Sequence, residues 1–126
     1  MSNNTQFLSI VDDEFDVVSL FRDALSEIDG MEVFGFTDST LAFEHFRLNQ
    51  SHYALVLSDY RIPLINGMEL LKKIKAMKPS VKTLLISAFD VNHEIFTECD
   101  YVDKFLEKPT KMIDLVKEVR SIIQQP

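Results

Sequence analysis

The run Phe7-Leu8-Ser9-Ile10-Val11, broken at once by Asp12-Asp13-Glu14, decides how the chain is read. A short apolar run rich in β-branched and aromatic residues is too brief for a helix and suits a strand buried on both faces. The acids that follow place negative charge at the strand's carboxyl end. The pattern recurs: Ala54-Leu55-Val56-Leu57 runs into Ser58-Asp59, and Thr83-Leu84-Leu85-Ile86 into Ser87. Residues 31–36 alternate apolar with other residues, as a strand with one less buried face does, and residues 102–106 read as a fifth strand.

Helical spacing fills the gaps. Over 15–28, Val17, Val18, Phe21, Leu25 and Ile28 share a face, and Gly30 can close that helix from the left-handed region. Ser39 can cap a helix reaching about Leu48. Over 68–77, Leu70, Leu71, Ile74 and Met77 line up, and Pro79 ends the run. A short helix is expected over 91–98. The last helix, 112–123, carries the clearest stripe: Met112, Leu115, Val116, Val119, Ile122 and Ile123. Near-continuous apolar strands separated by helices mean a parallel sheet covered on both faces. Right-handed crossovers then give a doubly wound α/β fold of five βα units.

The 126 residues suit one domain. No repeat or linker is visible, so a single domain over 1–126 with a core at about 6–123 and no output domain is expected. Thirteen basic against 20 acidic residues leave a net charge of −7, which disfavours direct nucleic-acid contact, a matter of Lys and Arg neutralising phosphates. Cys99 is the sole cysteine, so no intrachain disulfide forms and a reducing, cytoplasmic setting is the simpler reading. No apolar run approaches the ~20 residues of a membrane span, and Met1-Ser2-Asn3-Asn4-Thr5-Gln6 lacks the basic and apolar regions of a signal peptide.

Ligands of such sheets bind beyond the carboxyl ends of the strands, at the switch point in strand order. Asp12 and Asp13 follow the first strand, Asp59 the third, Ser87 the fourth, and Lys108 the fifth. Each has a plain structural explanation: Asp13 as a helix cap, Asp59 in an Asx turn, Ser87 as a loop hydroxyl, Lys108 as a solvated charge. Their conjunction at one sheet edge is what points to a site. Two carboxylates ~4 Å apart repel by roughly 4 kcal/mol at an effective dielectric of ~20. A hard divalent cation such as Mg²⁺ offsets that repulsion, and with an ammonium and a hydroxyl nearby the set suits a phosphoryl group.

On Asp12-Asp13, Asp59 with Pro63 and Gly67 four and eight residues on, Ser87-Ala88, and Phe105 three before Lys108-Pro109, the sequence resembles the receiver domain of two-component response regulators over roughly residues 6 to 123. The resemblance implies a flavodoxin-like sheet of order 2-1-3-4-5. It implies that Asp59 is the phosphoacceptor, taking the phosphoryl group of a phosphohistidine on a sensor histidine kinase. Asp13 and Asp59 would ligate Mg²⁺ directly, the Arg61 carbonyl would complete the protein ligands, and Asp12 would hold the ion through water. Lys108 and Ser87 would meet phosphoryl oxygens. Ser87 and Phe105 would then move and reshape the face built by the 91–98 helix, the fifth strand and the last helix. The Lys108-Pro109 bond would be cis. Phe105 lacks the hydroxyl of the tyrosine common at that position, so its switch would run on ring burial alone. Glu98-Cys99-Asp100-Tyr101 lacks the small residues usual before the fifth strand.

Arg61 and Phe89 stand where the family tunes dephosphorylation, and a long cation with a bulky ring would screen the attacking water. Slow loss of phosphate is therefore expected, with a shorter phosphoryl half-life in the Arg61→Asn, Phe89→Glu double variant. The resemblance implies no turnover beyond self-phosphorylation and autodephosphorylation. Either of two outputs fits: direct control of a partner protein, by a monomer or weak dimer, or a phosphorelay step passing phosphate to a histidine phosphotransfer protein. A degenerate receiver acting as a phosphorylation-independent binding module is a further alternative. A flavodoxin-type FMN carrier is disfavoured by acids where it needs a phosphate loop. A haloacid-dehalogenase-type phosphatase wants Asp two after its nucleophile, where Arg61 stands. Lys72, Lys73, Lys75, Lys78 and Lys82 read as a solvated helix face or as a docking patch for an acidic partner. His45, His52 and His93 read as structural or surface residues.

Overall fold

In the computed structural model, which describes residues 5–62, 64–87, 100–108 and 111–124, alternate strand residues pass to opposite sides of one sheet. The elements run β1 (Gln6–Val11), α1 (Phe15–Leu25), β2 (Met31–Phe36), α2 (Ser39–Leu48), a 3₁₀ turn (Gln50–His52), β3 (Tyr53–Asp59), α3 (Gly67–Met77), β4 (Lys82–Ser87), β5 (Lys104–Glu107) and α4 (Met112–Ile123). All pairings are parallel and the strand order is β2-β1-β3-β4-β5, as the resemblance implied.

The period of two in each strand builds two cores. Leu8, Ile10, Leu55, Leu57, Leu84 and Ile86 pack under α1 and α4, against Phe21, Leu25, Leu115, Val119 and Ile122. Val11, Val56 and Leu85 face the other way, against Ala42 and Phe46 of α2 and Leu70, Leu71 and Ile74 of α3. Facing both layers is why these strands read as unbroken apolar runs. The β1–β3 register shifts between Phe7 and Leu8, which pair with Tyr53 and Leu55. Edge strand β2 lies close beneath α1: a Cβ on Gly35 would come within 2.3 Å of Val18 Cγ1.

Several expected boundaries move, each for a local reason. Helix α1 stops at Leu25 rather than Ile28, where Ser26 folds back with its amide and Oγ on the Arg22 carbonyl (2.9 and 2.6 Å). Ile28 still reaches the core without being helical, which is why it fitted the stripe. Gly30 does not cap the helix; at φ +80° it turns the chain into β2. Ser39 is the first residue of α2, and the cap is Asp38, whose carboxylate accepts from the Thr40 and Leu41 amides (2.6 and 3.1 Å). Asn66 caps α3 by accepting from the Glu69 amide at 2.9 Å.

Strand β5 begins at Lys104, two residues later than expected. Asp103 is first tied to the base of β4: its amide donates to the Thr83 carbonyl at 3.0 Å, and its carboxylate accepts from the Thr83 amide (2.8 Å) and Lys75 Nζ (2.6 Å). Thr83 Oγ1 donates to the Tyr101 carbonyl at 2.7 Å. Helix α4 spans the residues expected of it. The expected 91–98 helix, Pro63, Ala88, Phe89, His93, Cys99 and the Lys108-Pro109 bond geometry lie outside the described residues. Among the described residues no helix is long and apolar enough to cross a membrane.

Candidate functional site

Three strand ends and the loop after a fourth meet at one rim of the sheet. Asp12 lies at the end of β1, anchored by its amide to the Phe36 carbonyl at 3.1 Å. Its Oδ1 accepts the Glu14 amide at 2.9 Å, so the side chain folds over the turn into α1. Asp59 is the last residue of β3, and Ser58 Oγ donates to its carbonyl at 2.9 Å. The next rung, the Tyr60 amide on the Ile86 carbonyl at 2.8 Å, carries the β3–β4 ladder one residue past the strand. Lys108 follows β5, its amide on the Ser87 carbonyl at 2.8 Å, which extends the β4–β5 ladder in the same way.

Gly67 explains why the chain needs glycine eight residues after Asp59. The N-terminus of α3 folds back on the β3 end, the Gly67 amide donating to the Tyr60 carbonyl at 2.8 Å. A Cβ there would sit 2.2 Å from the Asp59 carbonyl oxygen and 2.9 Å from Leu85 Cδ1. The intervening loop carries Leu64 at φ 78°, an uncommon conformation for a branched side chain, and Leu64 is exposed.

The charges are arranged around one ammonium. Lys108 Nζ lies 3.0 Å from Asp59 Oδ1 and 3.5 Å from Asp12 Oδ2. Both carboxylate side chains are over nine-tenths buried, while the Lys108 side chain is 32 % exposed. Burial pushes the Asp59 carboxyl above the usual aspartate range; the Lys108 hydrogen bond and charge and the Tyr60 amide oppose it, and Asp13 adds to it. Asp12 is likewise raised, first by burial and then by Asp59 and Asp13, against the Glu14 amide and Lys108. Lys108 loses by burial, but the two carboxylates outweigh that loss and raise it.

Asp13 and Glu14 are exposed, and carboxylate oxygens of Asp12, Asp13 and Glu14 lie within 4.8 Å of one another. Asp59 is turned toward Lys108. Sequence reasoning did not nominate Glu14 as a ligand, although it ends the same acidic run. An all-oxygen, all-carboxylate donor set is the kind a hard divalent cation takes. Ser87 is buried at the end of β4, Arg61 is exposed two residues beyond Asp59, and half-buried Phe105 packs in β5 against the core on the α2/α3 side.

The rim therefore holds a buried carboxylate paired to an ammonium, with further carboxylates and a hydroxyl-bearing strand end beside it. A sequence model of the response regulator receiver domain matches residues 8–120. The chain is 37% identical to the transcriptional regulatory protein MalR of Bacillus subtilis over 63% of this chain and 33% of that protein. It is 28% identical to the regulatory protein VanRB of Enterococcus faecalis over 92% of this chain and 51% of that one. It thus spans about a third to a half of the length of these relatives. A crystal structure of a response regulator receiver domain protein from Clostridium thermocellum superposes with a TM-score of 0.83 at 26% identity, covering 94% of each chain. With the strand order and the rim in agreement, the chain belongs to the response regulator receiver domain family and is the receiver of a two-component response regulator.

Proposed function

We propose that this receiver accepts a phosphoryl group on Asp59 from the phosphohistidine of a sensor histidine kinase, with Mg²⁺ at the acidic rim. The observation that carries the reading is the Lys108 ammonium between two buried carboxylates, 3.0 Å from Asp59 and 3.5 Å from Asp12. An Asp59 carboxylate oxygen bonds to phosphorus as the phosphorus–nitrogen bond breaks, and the electron pair leaves with the imidazole nitrogen. Charge spreads over the oxygens of the transferring group, so the work left to the protein is positioning and electrostatics. Lys108 already touches the nucleophile and is placed to hold one of those oxygens. Ser87 would hold another. A divalent cation, when bound, neutralises phosphoryl oxygens; Asp12, Asp13, Asp59 and the Arg61 carbonyl would hold it, with Glu14 beside them.

The reaction is stoichiometric, so the protein is a phosphorylated switch and no turnover enzyme. Formation of the acyl phosphate draws Ser87 and Phe105 into new positions and alters the face that includes β5 and α4, which a cytoplasmic partner protein reads. The names of curated relatives such as the transcriptional regulatory protein MalR favour transcriptional control as the eventual output. The acidic balance of this chain favours a receiver that does not itself contact DNA.

Incubation with acetyl phosphate and Mg²⁺ followed by intact mass measurement tests the reading. A single phosphoryl adduct, absent from Asp59→Asn and from a sample with chelator, is expected. An adduct that persists in Asp59→Asn would falsify the assignment.

A further inference from the structure

On the α2 side of the sheet, remote in sequence from the acidic rim, a histidine sits in an aromatic nest. The His45 ring lies 4.3 Å from Phe34, 5.5 Å from Phe36 and 6.0 Å from Phe7, centroid to centroid. Its Nδ1 is 2.6 Å from the Tyr53 hydroxyl. Tyr53 is 2% exposed, and burial pushes its hydroxyl up to about 12, so it keeps its proton through the physiological range. In the neutral Nε2–H tautomer of His45, that proton points at Nδ1. Ser9, on β1, is 1% exposed and its Oγ closes no hydrogen bond among the described residues, though it lies close enough to the Tyr53 hydroxyl to favour the ionised phenol. A buried hydroxyl left unpaired carries the cost of its lost hydration.

We propose that Ser9, Tyr53 and His45 form a proton relay that makes the contact between α2 and the sheet sensitive to pH. When His45 takes a proton at Nδ1, that N–H donates to the Tyr53 oxygen, and the displaced Tyr53 proton turns to Ser9 Oγ, the buried acceptor left open until then. The charged groups around His45 do not cancel its burial. Glu32 on β2 favours the cation, but burial is the larger influence and holds the imidazole below its ordinary range. His52 on the 3₁₀ turn stacks on Phe7, Glu44 and Arg47 on α2 pair with each other, and Lys73 of α3 lies over Phe43. From β1 the nest receives Phe7 and Ser9, neither charged.

The sign follows from linkage. The unfolded chain binds the proton first, so stability falls as pH drops below the unfolded histidine value of about 6.5 and stops falling below the folded value.

Side-chain ¹⁵N NMR titration of the whole protein, with Ser9→Ala beside it, tests the relay. In the wild type the neutral His45 carries its proton on Nε2. Ser9→Ala lowers the His45 pKa by about half a pH unit, the worth of one hydrogen bond, because the charged state alone needs that acceptor. The same substitution raises the melting temperature at pH 8 and loses that gain at a pH below the His45 midpoint read in the titration. An unchanged His45 pKa in Ser9→Ala, a neutral Nδ1–H tautomer, or an equal shift in melting temperature at both pH values overturns the proposal.

Discussion

Gly67 shows how one missing side chain positions Asp59, the proposed phosphoacceptor. The space a Cβ would need is taken by the Asp59 carbonyl oxygen, 2.2 Å away, and a backbone atom cannot swing aside as a flexible side chain can. Gly67→Ala is expected to lower stability by about 1–3 kcal/mol in chemical denaturation, the range of overpacked sites. It should also slow phosphorylation by acetyl phosphate, because the strain falls on Asp59 itself. Lys108 acts through charge instead. Lys108→Met removes the cation facing two buried carboxylates, and phosphorylation should slow by about 10²–10³, the range seen when one preorganised donor to a developing charge is lost. Single-turnover kinetics with acetyl phosphate measures it; a rate within twofold of wild type would leave Lys108 a structural counter-ion only.

At the level of elements, caps and ties set the boundaries that periodicity alone leaves loose. Asp38→Ala should cost about 1 kcal/mol, since the carboxylate satisfies two otherwise free amides at the start of α2. Asp103 fastens the entry to β5 onto β4. Burial raises its carboxyl, but the Lys75 and Thr83 hydrogen bonds outweigh burial, so it sits below the ordinary aspartate value of 3.8. Its stabilisation is therefore present above that value and is lost as pH falls through the folded one. With its side chain 32 % exposed, solvent screening keeps the contribution to about 1 kcal/mol or less. Asp103→Asn should lower the melting temperature at pH 7 and flatten the acid limb of the stability curve.

Strands β1 and β3 and helix α4 were legible because burial on two faces, or on one stripe, writes itself into every residue. The caps were less so: Asp38 and Ser39 are adjacent and equally suited, and only the backbone angle selects between them. Asp103 was invisible because its partners lie 20 and 28 residues away. At the site, Asp12, Asp59 and Lys108 were legible as residues at or just beyond strand ends. The closeness of Glu14 to the other acids and the contact behind Gly67 depend on how a turn closes.

For the molecule as a whole, the ion site proposed at the acidic rim would set native-state stability against Mg²⁺ binding. Mg²⁺ at ~100 times its dissociation constant should stabilise the fold by about 2.7 kcal/mol if it binds the native state alone. Asp13→Asn should raise the melting temperature of the metal-free protein and shrink the shift that Mg²⁺ produces; no shift in either protein would count against the site. Charge elsewhere is less available than the sequence suggests. Of the five lysines around α3, Lys75 is tied to Asp103 and the Val81 carbonyl, and Lys78 to the Gln50 and Tyr53 carbonyls. Those two serve the fold, which leaves a smaller cationic face for any acidic partner.

The two rungs beyond the strands, Tyr60 on Ile86 and Lys108 on Ser87, splice three site-bearing segments into one cord. A tug at any one of them is felt along its neighbours without any side chain having to carry the message. Phosphorylation of Asp59, as proposed, would thereby gain mechanical leverage over a whole flank of the sheet.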